Sequence, residues 1–166
     1  MVKKLKKTYE TPKKGWQSER IDQEKDIIND YGLKNKKELW KTESILRDLR
    51  REARKLNAVR DEQKEQDLLD KLNRLGVISE GAELTDILDM DLEDILERRL
   101  QTIIYRRGLA DTMNQARQLI NHRHVMVGDQ QVDVPGYLVR TEEESEIRMA
   151  PGSKHLVKES GGEEDE

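Results

Sequence analysis

Between Leu92 and Val134 the spacing of apolar residues changes from a helical rhythm to alternation, so helices and strands must share one small unit. Leu92, Ile95, Leu96, Leu100, Ile103 and Ile104 recur at threes and fours, with Asp91 placed to cap the start and Gly108 to stop the end. This spacing predicts one helix over 91–108. Thr112 with Gln115 three positions on makes a capping box, and Ala116, Leu119 and Ile120 give a second, shorter stripe. Val125 and Val127 then alternate, "GDQQ" offers a turn, and Val132 and Val134 alternate again before Pro135. The order is helix, helix, hairpin. A further strand is expected at Tyr137 and Val139 and another at Ile147, with "TEEESE" as an acidic loop between them.

Upstream the pattern is helical throughout. Residues 1–17, "MVKKLKKTYETPKKGWQ", carry six lysines and too few apolar positions to fold alone, which predicts a flexible, extended basic arm. A helix follows from about Glu19 to Tyr31, with Ile21, Ile27, Ile28 and Tyr31 inward and Gly32 as its stop. Asn35 with Glu38 three residues later starts a second, whose stripe runs through Leu39, Leu46, Leu49, Ala53 and Leu56. "DEQKEQDLLDKLNRLGVI" supplies a third, through Leu68, Leu69, Leu72 and Leu75 to Gly76. The tail, ending "ESGGEEDE", reads as disordered and acidic. The fold class is therefore α+β: an arm at 1–17, a helical lobe at 18–90, a helix pair with a small antiparallel sheet at 91–150, and a tail at 151–166.

Composition limits what such a chain can do. With 34% hydrophobic and 40% charged residues among 166, the core is modest and wide surfaces must face water or a charged partner. Cysteine is absent, which excludes disulfides and thiolate zinc sites. There is no run of about 18 apolar residues to span a membrane, and the basic N-terminus lacks the apolar core of a signal peptide, so a cytoplasmic location is expected. The net charge of −4 hides strong segregation: +8 for residues 1–60, −10 for 61–97, +5 for 98–124 and −7 for 125–166. Phosphate binding depends on local potential within a Debye length, so the two basic blocks are the informative feature.

"INHRHVMVGD", residues 120–129, places His122 and His124 around Arg123 where helix turns to strand. An H-x-H pair can bind a transition metal, but a zinc site needs three or four ligands and none completes this one; no metal and no cofactor are expected. Ordinary surface histidines are the plainer alternative. Catalysis finds no nucleophile with a base and an orienting group, no Gly-rich phosphate loop and no sign of a preformed apolar cleft, so neither an enzyme nor a small-molecule substrate is expected. The third possibility is a polyanion surface. If the two helices pack as a hairpin, Arg98, Arg99, Arg106, Arg107 and Arg117 flank the buried seam and converge with Arg123. Every Lys-or-Arg cation of this block is arginine, whose planar fork grips phosphate with two parallel hydrogen bonds and also stacks on bases. A solvated charged face remains the bland alternative, here and for Arg47, Arg50, Arg51 and Arg54, which share one side of the second helix. Asn114, Gln115, Gln118 and Asn121 leave a DNA-reading helix pair open, since amides can read adenine.

At these residues a resemblance enters. "LERRLQTIIYRRGLADTMNQARQLINHRHVMVGDQQVDVPGYLV", residues 96–139, resembles the RNA-binding domain family named after ribosomal protein S-four. The shared marks are Arg98-Arg99, the Gly108-Leu109-Ala110 break, Ala116 to Ile120, the His-Arg-His cluster leading into Val125 and Val127, and the Pro-x-Tyr-x-Val ending. Beyond that domain, "KTYETP" at 7–12 and "ERIDQEKDIINDYGLKNKKELWK" at 19–41 are similar to the archaeal and eukaryotic branch of the S-four ribosomal protein family, so the resemblance covers most of 7–148. Gly128-Asp129 departs from the Asn-Gly turn common in the domain, and the acidic 61–97 block and tail are unusual for the family.

The resemblance implies a constituent of the small ribosomal subunit in the cytoplasm. It would bind small-subunit ribosomal RNA early, nucleate assembly of the body of the particle, contact ribosomal protein S-five and other small-subunit proteins, and contribute to translational accuracy. It further implies that Arg98, Arg99, Arg106, Arg107, Arg117, His122, Arg123 and His124 lie at RNA-facing positions. The arm lysines Lys3, Lys4, Lys6, Lys7, Lys13 and Lys14 and the Arg47, Arg50, Arg51 and Arg54 face would touch other RNA segments. A free-standing RNA chaperone or tRNA-type binder using the same domain is the alternative.

Overall fold

Asn35 begins the longest helix of the chain, its side chain accepting the Glu38 N–H at 3.2 Å. In the computed structural model, which describes residues 7–152, this helix is the spine of the first of two compact units, residues 1–96 and 97–166. Lys3, Lys4 and Lys6 of the arm, and residues 153–166 of the tail, lie outside the described residues.

The first unit holds α1 (Ser18–Asp30), α2 (Lys36–Val59), α3 (Glu62–Arg74), α4 (Leu84–Asp89) and most of α5 (Leu92–Glu97). The expected stripe of α2 is buried at Leu39, Leu46, Ala53 and Leu56, with Leu49 half-buried, and α1, α3 and α4 each pack against this helix. Asp61 caps α3 through the Lys64 N–H, and Leu68 and Leu72 supply its buried face. The sequence pattern does not foresee α4, because six residues are too few to establish a period; Leu84, Ile87 and Met90 bury all the same.

Between α1 and α2 lies a buried carboxylate. Glu24, only 4% exposed, accepts from Arg20 at 2.5 Å, Lys36 at 2.8 Å and the Trp40 indole at 3.4 Å. Burial pushes this carboxyl up, but the Lys36 and Trp40 hydrogen bonds and the two cations outweigh it and leave its pKa below the ordinary value. Tyr9 and Glu10 of the arm are held against this unit: Glu10 donates its N–H to Ser44 and pairs with Arg47, and the Tyr9 ring lies 6.1 Å from that of Trp40.

In the second unit α6 (Leu100–Arg106) and α7 (Met113–Asn121) pack together and cover a three-stranded antiparallel sheet. The strand order is β2-β1-β3, with β1 Val125–Val127, β2 Gln130–Gln131 and β3 Ile147–Met149. Val127 faces both Gln130 and Ile147 in register. The core gathers Leu100, Ile103, Ile104, Ala116, Leu119, Ile120, Val125, Val139 and Ile147.

Three expectations are corrected here. The single helix over 91–108 is interrupted at Arg98-Arg99, where Arg99 is extended (φ −74, ψ 141) and bridges Leu138. The backbone groups given up by the helix are taken by a returning segment: Leu100 N–H donates to Tyr137 O at 2.8 Å and Val139 N–H to Arg98 O at 3.0 Å. The strand expected at Tyr137 and Val139 is reduced to that one bridge, and the second hairpin strand is Gln130–Gln131, with Val132 half-buried after it and Val134 exposed. Finally, "TEEESE" is not a loop but contains the helical turn α8 (Thr141–Glu144), whose acids are engaged: Glu144 pairs with Arg98 and Glu143 accepts from Tyr137 Oη at 2.8 Å.

Candidate nucleic-acid interface

The corner where α7 passes into β1 sets the geometry of the candidate surface. Thr112 opens α7 by accepting the Gln115 N–H at 3.1 Å, as expected, while Gln115 Oε1 accepts the N–H of Asp111 at 2.7 Å, one residue before the position a reciprocal capping box would use. At the other end His122 is the last helical cap, Arg123 donates its N–H to Ile120 O and His124 donates to Leu119 O, both at 2.9 Å. This is the paired closure of a Schellman motif, and Arg123 holds the left-handed position at φ 60 that glycine normally takes. The fold thus tolerates a strained arginine at a corner where glycine would be easier, and it points the guanidinium outward.

Around that corner the side chains form one exposed group. Arg123, exposed, donates Nε and Nη2 to Asp133 at 3.2 and 3.0 Å. The His122 and His124 rings stack 6.2 Å apart at 27° and, with Gln115, Gln118 and Leu119, line a depression of about 320 Å³. Stacking rings beside amide edges and a guanidinium suit an unpaired base next to its phosphate. Among the described residues no group of three or more His, Cys, Asp and Glu is placed to hold a metal ion.

The arginines of α5 to α7 divide by environment. Arg106 is exposed and chelates Glu97 at 2.7 and 3.3 Å; Arg107 is exposed with no carboxylate partner among the described residues. Arg117 is half-buried and reaches Gln101 Oε1 at 3.4 Å, while Gln101 itself is fully buried and donates to Met113 O at 2.9 Å. Arg98 and Arg99 are drawn inward instead. Arg98 bonds Glu144 at 2.9 Å and Val139 O at 3.2 Å, and Arg99 is 5% exposed under Gly136, where a Cβ would meet Nη2 at 3.6 Å. Sequence spacing missed Gln101, which looks like a polar interruption of an apolar stripe and in the fold steadies Arg117.

The first unit separates its cations in the same way. Arg50 turns in, donating to Met90 O with its Nε buried and unpartnered, whereas Arg51 pairs with Asp48 on the surface and Arg54 is exposed with no carboxylate partner among the described residues. Arg47 is held by Glu10. Lys13 and Lys14 are exposed, and the Lys7 ammonium lies 5.9 Å from the centre of the Tyr9 ring.

The S4 domain family matches residues 98–145, from the inward Arg98 to the end of α8. The small ribosomal subunit protein uS4 of Methanothermobacter thermautotrophicus is 44% identical over 154 residues, covering 91% of this chain and 90% of that protein. The chain belongs to the uS4 family. The uS4 of Nanoarchaeum equitans is 50% identical over 89% of this chain and 85% of its own length, and that of Halobacterium salinarum 48% over 85% and 83%. The resemblance read from the sequence is thereby borne out across both units, and the archaeal character of these uS4 relatives agrees with the branch it pointed to.

Proposed function

We propose that this uS4 chain is a non-catalytic, cytoplasmic constituent of the small ribosomal subunit that binds small-subunit ribosomal RNA as a primary protein. In that role it nucleates the body of the particle, contacts ribosomal protein S-five and contributes to translational accuracy. The observation that carries the reading is the α7–β1 corner, where Arg123 sits at a glycine-type backbone position beside stacked histidines and amides. The exposed Arg106, Arg107 and Arg123 grip phosphates, with Arg117, His122 and His124 at the same surface; Arg51, Arg54, Lys13 and Lys14 engage further RNA segments. Arg98 and Arg99 serve this surface chiefly by fixing the 135–139 segment against α6, and Arg47 and Arg50 by tying the arm and the α4–α5 junction to α2. The RNA-binding domain spans 91–150, the helical lobe 18–90, with the arm at 1–17 and the tail at 151–166.

Crosslinking in cells followed by sequencing of the bound RNA tests the reading. Small-subunit ribosomal RNA is the expected partner. Recovery of tRNA instead would favour a free-standing RNA binder, and recovery of no RNA would overturn RNA binding altogether.

A further inference from the structure

Trp16 is 98% exposed, the extreme among the large apolar side chains of the described residues. A residue so exposed at a fraying end would mean little, but the backbone here is held on both sides. Arg20 donates Nη2 to Lys14 O at 2.9 Å and to Gly15 O at 3.2 Å, and the Ile21 N–H bonds Gln17 O at 3.0 Å. Arg20 is in turn fixed by the buried Glu24, which α2 anchors through Lys36 and Trp40. The indole therefore stands out from a loop that is tied to the core of the first unit.

We propose that Trp16 is a stacking platform for an unpaired nucleotide base, with Lys13 and Lys14 holding the adjoining phosphates. This rests on the reading of the chain as an RNA binder and adds a second recognition point to it, in the other compact unit. Charge selects the occupant. Residues 1–20 carry a net +5, and the immediate neighbours Lys13, Lys14, Gly15, Gln17, Ser18 and Glu19 are all exposed and none is apolar. A protein pocket receiving a tryptophan would be matched by an apolar rim, which this loop lacks; a nucleobase needs only the flat π-face and nearby cations. Every base offers a π-face, so the stack contributes affinity rather than sequence choice.

The test uses the full chain and transcribed small-subunit ribosomal RNA. Trp16→Ala is expected to raise Kd by roughly 5- to 150-fold, the range for losing one base–aromatic stack, and Trp16→Phe to restore most of the affinity. Because stacking releases no counterions, the ratio of variant to parent Kd stays constant as salt rises, whereas Lys13→Ala with Lys14→Ala flattens the salt slope. RNA should quench indole emission in the parent and do so less in Trp16→Phe. The side chain packs on nothing, so these variants keep the parent's circular dichroism. Parent-like affinity in Trp16→Ala overturns the proposal, and so does a blue-shifted, brighter Trp16 emission on assembly with protein rather than RNA. Failure of the parent itself to bind the RNA would instead remove the functional reading beneath it.

Discussion

Arg123 offers a substitution in which stability and function should move in opposite directions. Its backbone occupies the left-handed region at φ 60, where a Cβ crowds the following carbonyl at a cost of about 1–2 kcal/mol. Its guanidinium offsets little of that, because both it and Asp133 are largely exposed and such a pair contributes about 0–1 kcal/mol. Arg123→Gly and Arg123→Ala both lose the ion pair, and only glycine relieves the backbone, so the glycine variant should be the more stable of the two by about 1 kcal/mol. Urea unfolding of the full chain at neutral pH measures that difference. Both variants remove the same cation from the corner beside His122 and His124, so both should weaken binding to small-subunit ribosomal RNA equally, by about 1–3 kcal/mol, with a shallower salt dependence. A glycine variant no more stable than the alanine one would refute the strained closure of α7. A glycine variant that keeps the parent's affinity would remove Arg123 from the interface.

Arg99→Ala should behave in the opposite manner, because the side chain is 5% exposed under Gly136: a loss of about 3 kcal/mol in stability is expected, with affinity falling only as the folded fraction falls. Thermal melts beside binding curves check this, and an unchanged melt with lowered affinity would put Arg99 among the direct RNA contacts. Glu24→Gln removes the buried charge but keeps an acceptor for the half-exposed cations, so about 1–3 kcal/mol is expected at neutral pH. The folded-state pKa of Glu24 lies below the ordinary 4.5, so its stabilisation is complete above that value and disappears as pH falls through the lowered one. Urea titrations followed by Trp40 fluorescence should show parent and variant converging in acid, and a gap that stays constant down to strongly acid pH would contradict this account.

How much of this was legible in the chain varied with distance. The caps of α2 and α7, the faces that α2, α3 and α7 bury, and the place where helix gives way to hairpin depend on residues within a few positions, and periodicity exposes them. The cation cluster around Arg123 was legible as composition, as was its resemblance to a known RNA-binding domain. The destinations of several cations were not, because their partners are far along the chain: Glu144 for Arg98, Met90 for Arg50, Glu10 for Arg47. A stripe of arginines at helical spacing looks uniform until the fold decides which of them meet a carboxylate.

The sequence by itself determined the longer helices α1, α2, α3 and α7, the faces that α2, α3 and α7 bury, and that arginine is concentrated around a helix-to-strand corner, since these follow from local spacing and charge. Only the tertiary structure decided that the apolar stripe over 91–108 breaks at Arg98-Arg99. The stripe continues in phase across the break, but a segment some 40 residues away captures the backbone groups that an unbroken helix would use. It likewise sent Arg99 and Arg50 inward while leaving Arg107, Arg123 and Trp16 outside. Those outcomes depend on what the returning chain brings alongside, and no local pattern records it.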